Sequence, residues 1–309
     1  MRLVPLESAD LALVSELLLG ELDAWRTDLG WDYSTVQSIL LSFMERGALP
    51  GFLATEQGRP AGYTYFLIQR HKGVIGTVYR SGNHVSHHVV DLLQQAAIDA
   101  LRSIAAVNRI EAQIVPFGGI SLDALFLDNG FECHPRHFLE LDASSHLPRG
   151  TRCDARVVPW DSSYLMDAAR VAFAGYSGQS DALICEDYHT EKGCEGYLRS
   201  LLDTPGCGTF LPSDSHMAID GSGTLCGFII ASSISPAGAM IPQISILPSH
   251  QGQGIGNALM EAALGGLRAR GYRSVGLMVT VGNSRAYSWY LRLGFRTKKA
   301  FSAATWQRR

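Results

Sequence analysis

Apolar positions recur along this chain with two periods, and each period marks a different kind of element. In the second half, Ile255, Leu259, Ala263 and Leu267 form an i, i+4 row with Met260 and Leu264 beside it. That row predicts a helix over 254–270, and Gly271 follows where helices commonly stop. Helical patterning is also read over 162–174, more loosely within 183–202, and over 284–293. Runs rich in β-formers predict strands at 156–158, 216–220, 225–232, 240–247 and 274–280, with a last strand near 295–303. Strands outnumber helices and come in consecutive runs, which points to a mixed α+β class rather than a doubly wound parallel sheet.

The pattern then repeats. "RLVPLESADL" (Arg2 to Leu11) and "RVVPWDSSYL" (Arg156 to Leu165) share Arg, Val, Pro, an acid and Ser in the same order. A short strand, a proline break and a helix start would produce both, because Ser and acidic residues suit the first turn of a helix. "RPAGYTYFLI" (Arg59 to Ile68) answers "TLCGFIIASS" (Thr224 to Ser233), and "LDNGF" (Leu127 to Phe131) answers "LRLGF" (Leu291 to Phe295). Gly62 and Phe131 lie almost as far apart as Gly227 and Phe295. Two copies of one fold are therefore expected, over 1–145 and 153–309, with the Ser-, Pro- and Gly-containing stretch Leu141 to Ala155 between them.

Composition narrows the function classes. The chain has 309 residues, 46% of them apolar and 18% charged, with a formal charge of −3. Such a balance argues against a protein held to nucleic acid by bulk charge. No apolar run reaches the roughly 18 to 20 residues that span a bilayer, so no membrane partner is expected. Glu7, Asp10 and Glu16 interrupt the apolar N-terminus, which reads as an amphipathic helix rather than an export signal. The six cysteines show no CxxC spacing, so free thiols and a cytoplasmic location are expected. His84 and His88 in "HVSHH" have no carboxylate or cysteine at ligand spacing; they read as solvated histidines, and no metal site is expected.

The candidate chemistry sits in "ILPSHQGQGIGNALM" (Ile246 to Met260), where Gly252, Gly254 and Gly256 crowd the start of a helix. The first N–H groups of a helix lack carbonyl partners and carry partial positive charge. Glycines let the turn bend and remove the Cβ atoms that would hold a bulky anion away. A strand, a glycine turn and a helix N-terminus together suit a pyrophosphate; the other reading is a connection with no ligand. The GxGxG spacing differs from the dinucleotide fingerprint, because Asn257 stands where its third glycine would fall. No Gly-Lys-Ser/Thr follows, which excludes a nucleoside-triphosphate loop.

A second constellation makes a resemblance specific. The run Ile246-x-Pro248-x-x-Gln251-x-x-Gly254-x-Gly256 resembles the Gln/Arg-x-x-Gly-x-Gly/Ala motif of the GNAT superfamily of acyl-CoA-dependent N-acetyltransferases. Asn283, Ala286, Tyr290, Gly294 and Phe295 resemble that family's Asn-x-x-Ala-x-x-x-Tyr-x-x-x-Gly-Phe element, in matching order and spacing. The resemblance covers roughly 225–295. It implies two tandem GNAT-like domains, each a mixed, mostly antiparallel sheet flanked by helices, with splayed parallel strands holding acetyl-CoA in the C-terminal copy.

By that resemblance, Ile244 and Ile246 pair through their backbones with the pantetheine arm. The backbone from Gln251 through Gly252, Gln253, Gly254 and Ile255 to Gly256 holds the pyrophosphate, and Asn283 meets the arm from the opposite wall. Tyr290 takes the general-acid position that protonates the departing thiolate. The implied reaction is acetyl transfer to a primary amine of a small molecule or peptide, with acetyl-CoA as co-substrate, no metal, and a monomer or homodimer as the working form.

Gln243 stands where many family members carry an Asp or Glu near the incoming amine, and a Gln cannot accept a proton. Glu186, Asp187 and His189 are candidates for the acceptor side, each with a solvated surface role as the alternative. In the first half Val78 matches Ile246, but Arg80 replaces the proline, Ser86 and His88 replace two glycines, and Phe126 stands in for Tyr290. That half reads as a degenerate copy. A coenzyme-binding module without turnover and a tandem enzyme like mycothiol synthase remain the alternatives.

Overall fold

The computed structural model describes residues 1–82, 88–145 and 153–308; residues 83–87, 146–152 and 309, with His84 and Ser86 among them, lie outside the described part. The chain divides into two compact units, one of residues 1–136 with 300–309 and the other of 137–299.

The first unit contains β1 (Arg2–Pro5), α1 (Leu11–Leu29), α2 (Ser34–Glu45), β2 (Gly51–Glu56), β3 (Arg59–Gln69), β4 (Lys72–Arg80), α3 (His88–Ser103), β5 (Arg109–Ala112) and α4 (Asp123–Asp128), and it holds the start of β6 (Glu132–Asp142). Asp10 caps α1 by accepting from the Ala12 N–H, and Gly30 ends the helix in a left-handed turn, the arrangement short polar residues and glycine favour. β1 through β4 form an antiparallel run and β4 pairs β5 in parallel. Val89, Leu93, Ala97 and Leu101 of α3 pack into a core with Ile75, Val78 and Ile110.

The second unit holds the rest of β6, then β7 (Arg156–Pro159), α5 (Leu165–Tyr176), α6 (Ser180–Ile184), α7 (Glu191–Asp203), β8 (Thr209–Phe210), β9 (His216–Ile219), β10 (Leu225–Ser233), β11 (Gly238–Ile246), α8 (Ile255–Ala269), β12 (Ser274–Thr280), α9 (Ser284–Leu293) and the start of β13 (Arg296–Gln307). β7, β9, β10 and β11 are antiparallel in turn, and β12 joins β11 in parallel. Leu259, Ala263, Leu264 and Leu267 of α8 are buried against Ile229, Ala231, Ala239 and Val275, so the i, i+4 row is the face that meets the sheet.

Both units thus show the expected mixed, mostly antiparallel sheet with flanking helices, the second with an additional helix and the short β8 before its central strands. They differ from the expected 1–145 and 153–309 at the last strand. Ala304–Gln307 of β13 pairs antiparallel with β5, and strands group with the neighbours that satisfy their backbone bonds. The final ten residues therefore belong to the first unit.

Candidate active site

Two features of β11 open a cleft beside it. Its pairing with β10 shifts register between Ile230 and Ser232, so an extra residue bulges near Pro242, a residue that lacks a ladder donor and is confined to such irregular places. On its other edge, pairing with β12 runs from Gly238↔Ser274 only to Met240↔Gly276, although both strands continue to Ile246 and Thr280. The parallel strands part there. A cavity of about 480 Å³ fills the region, walled by Ile244, Ile246, Gln251, Gly252, Gly254, Gly256, Asn283 and Tyr290, with Tyr176, Asp181, Arg285 and Trp289.

The three crowded glycines have two different reasons. Gly252 and Gly254 adopt φ of 81° and 79°, the left-handed region that side chains resist. Gly256 is helical; a Cβ there would sit 3.1 Å from Ile246 Cδ1 and 3.3 Å from Trp289 Cζ2. Its bareness is thus a matter of packing, held in place by the Trp289 indole N–H, which donates to Asn257 Oδ1 at 2.7 Å. No side chain caps α8, and its first backbone bond is the Ala258 N–H to the Gly254 carbonyl. The N–H groups of the first turn are left to face the cleft, in contrast to α9, where Asn283 accepts from the Ala286 N–H.

Gln251 is held from both sides. Its amide donates to the Ile246 carbonyl at 3.1 Å and accepts from Arg285 Nη1 at 2.6 Å. The Arg285 guanidinium therefore stands beside Gly252 and adds a formal cation to the helix-end partial charge, which is the donor set a diphosphate needs. Bare left-handed glycines, an uncapped helix start and a cation fit the pyrophosphate of a coenzyme. The side chains of Gln253 and Ile255 are directed elsewhere: Gln253 donates to the Ser249 carbonyl, and Ile255 is buried in the core, leaving their backbones as the part available to a ligand.

Tyr290 lies in the cleft wall, only 7% exposed, with its ring against Trp289 and Phe295. Among the described residues its hydroxyl has no hydrogen-bond partner, so it is available to a ligand. Burial, and then the Tyr176 phenol and the Asp181 carboxylate nearby, push the Tyr290 phenol far above its ordinary value; it stays protonated across the working range.

Asn283, expected against the coenzyme arm, lines the cleft with both ends of its amide engaged. Its oxygen caps α9, and its nitrogen donates to Asp181 Oδ2 at 2.8 Å. Gln243 is buried in a neutral network, donating to the Tyr176 and Ser245 hydroxyls at 3.0 Å and accepting from Tyr188 at 3.2 Å. Glu186, Asp187 and His189 do not line the cleft. They occupy a short 3-10 turn, and His189 pairs with the Ala182 carbonyl at 2.7 Å. From that region it is Asp181, on α6, that reaches the cavity.

In the first unit a buried carboxylate lies beside the stretch before Val78. The buried Glu21 carboxylate accepts from the Tyr63 hydroxyl, from Thr77 at 3.0 Å and from the Trp25 indole at 3.4 Å. Phe126 is buried against Phe131, and Arg80 is drawn toward the Gly118 carbonyl at 3.4 Å. Among the described residues no group of three or more His, Cys, Asp or Glu is gathered as for a metal ion, and no helix is long and apolar enough to cross a membrane.

Comparison with known proteins bears on the fold and on one segment of the chain. Residues 182–295 match the acetyltransferase (GNAT) family. An 84-residue segment is 37% identical to a mycothiol acetyltransferase of Actinosynnema mirum; it covers 27% of this chain and 28% of that protein, so the match spans little more than a quarter of either. Among solved structures, a tandem GNAT protein from the clavulanic acid biosynthesis pathway superposes with a TM-score of 0.67 at 16% identity over 99% of this chain and 98% of that one. A GCN5-related N-acetyltransferase from Sphaerobacter thermophilus gives 0.66 at 16% identity, over 99% and 95%. The fold of the chain is that of tandem GNAT proteins, and its segment 182–295 matches the acetyltransferase (GNAT) family.

Proposed function

We propose that this protein transfers an acetyl group from acetyl-CoA to a primary amine of a small molecule or peptide, by direct attack within one cleft. The observation that carries the reading is the meeting, in one cavity, of an uncapped glycine-led helix start and a buried phenol with a free hydroxyl. Acetyl-CoA, when bound, supplies the activated acyl group. Ile244 and Ile246 hold its arm along the unpaired edge of β11. The N–H groups from Gln251 to Gly256, with Arg285, hold its diphosphate.

Fixing both reactants in one cleft supplies much of the acceleration. Tyr290 gives a proton to the departing sulfur. Burial disfavours that thiolate as it disfavours the phenolate, which favours the proton on the sulfur. The first unit, which has Ser86 and His88 in place of two of the glycines, acts in this reading as a degenerate copy that binds no coenzyme.

Thiol release by the purified protein with acetyl-CoA and a panel of primary amines tests this. Amine-dependent release is expected. Tight coenzyme binding with no release for any amine would instead make the chain a binding module. A narrower second reading follows from the segment 37% identical to mycothiol acetyltransferase: the acceptor is of the kind that relative uses. Adding that acceptor to the panel tests it, and a rate no better than for simple amines would reject it.

A further inference from the structure

We propose that Asp181 anchors the ammonium group of the acceptor and is the first stop for its proton, so that the acceptor is a cationic alkyl amine. This rests on the acetyl-transfer reading above and adds the group that the strand position of Gln243 cannot supply.

Asp181 is 7% exposed yet lines the cleft. Its Oδ1 accepts from the Thr280 hydroxyl at 2.7 Å and its Oδ2 from the Asn283 amide at 2.8 Å. Both donors are neutral, and among the described residues Asp181 makes no ion pair. A carboxylate oxygen has a further acceptor site beyond each of these bonds. Neutral donors leave a buried negative charge incompletely answered, and an ammonium entering the cleft completes it.

Among the described residues no cation of the cavity wall pairs with Asp181. Tyr176 on α5 and Tyr290 on α9 feel the Asp181 charge, which raises both phenols behind the larger effect of burial. Arg285 is turned to Gln251, Arg292 lines the same cavity from α9, and His189 is held by the Ala182 carbonyl. Gln243 has both ends of its amide bonded to hydroxyls. Asp181 is the carboxylate among the cavity-lining residues.

The proton balance is simple. One ammonium N–H bond breaks, its proton passing to the Asp181 carboxylate and on to solvent. The neutral nitrogen then bonds to the acyl carbon while the acyl carbon–sulfur bond breaks. The sulfur takes the Tyr290 proton, and the second nitrogen proton returns to the phenolate. One proton is released for each amide formed.

The test compares benzylamine, cationic near neutral pH, with aniline, of similar shape but uncharged, in thiol-release assays of the wild type, Asp181→Asn and Asp181→Glu. Coenzyme affinity and thermal melting are measured alongside. For Asp181→Asn the benzylamine-to-aniline ratio of kcat/KM is expected to fall about 100-fold, the size expected when one partner of a buried charge pair is removed. Asp181→Glu, which keeps the charge, is expected to retain most of the ratio. An unchanged ratio in Asp181→Asn, an equal loss in both variants, or a collapse of coenzyme affinity alone would overturn the assignment and leave Asp181 a support for Asn283. If the wild type binds the coenzyme but releases thiol with no amine of the wider panel, the acetyl-transfer reading itself fails; if it accepts other amines but not benzylamine, the Asp181 assignment alone is overturned.

Discussion

Among the described residues nothing is bonded to the Tyr290 hydroxyl, and such a group is normally satisfied when buried. A role toward a ligand explains both its depth and its freedom. Tyr290→Phe is accordingly expected to lower kcat by about a hundredfold or more, the range general acids contribute, with coenzyme affinity little changed; steady-state kinetics and calorimetry separate the two.

The buried tyrosines also make a stability prediction. Tyr63, Tyr176, Tyr188, Tyr197 and Tyr290 all have phenols raised above the ordinary 10.0, chiefly by burial. Above that pH the unfolded chain loses protons that the folded chain keeps, so stability is full below it and falls as pH rises further. Glu21 follows the same sign from its ordinary 4.5, raised first by desolvation against the bonds from Tyr63, Thr77 and Trp25. As pH rises above 4.5, thermal stability is expected to decline less in Glu21→Gln than in the parent, which melts taken across that rise will show.

At the scale of elements, α8 and α9 present opposite solutions to the same problem. α9 answers its first turn with the Asn283 side chain; α8 leaves its own turn open to the cleft. Asn283→Ala removes a cap and a partner of Asp181 together, and a loss of about 1 kcal/mol or more in denaturant melts is expected. Gly256→Leu drives a side chain into Trp289 and Ile246, and overpacking of that kind typically destabilises by about 1–3 kcal/mol.

These two helices and β12 between them were the most legible part of the sequence, because a sustained i, i+4 row, the Asn283 cap and the terminal glycines Gly271 and Gly294 all gave local signals. Asp181 had none. α6 is five residues long, too short to show a period, and its carboxylate gains meaning only from Thr280 and Asn283, about a hundred positions away. Arg285 and Trp289 were equally silent, being polar-face residues of an ordinary helix until Gly252 and Gly256 are brought beside them.

At the scale of the whole molecule, the repeat was readable but its closing strands were not. Nothing within β13 announces that Ala304–Gln307 will pair with Arg109–Ala112, since long-range pairing is set by partners rather than by local pattern. Residues 1–145 expressed alone are therefore expected to melt at lower temperature, or less cooperatively, than the same segment with 300–309 appended; circular dichroism melts of the two compare them directly. Equal melts would mean that the borrowed strand contributes little.

The two units share a mixed, mostly antiparallel sheet, but the glycine turn of 252–256 stands in the second alone, and that difference sets the decisive measurement. Calorimetric titration of acetyl-CoA into the intact chain and into Gly254→Val is expected to give one site per chain for the parent and a large loss of affinity for the variant, whose β-branched side chain opposes the left-handed turn at φ 79°. No heat with the parent, two equivalent sites, or undiminished binding by Gly254→Val would contradict the account.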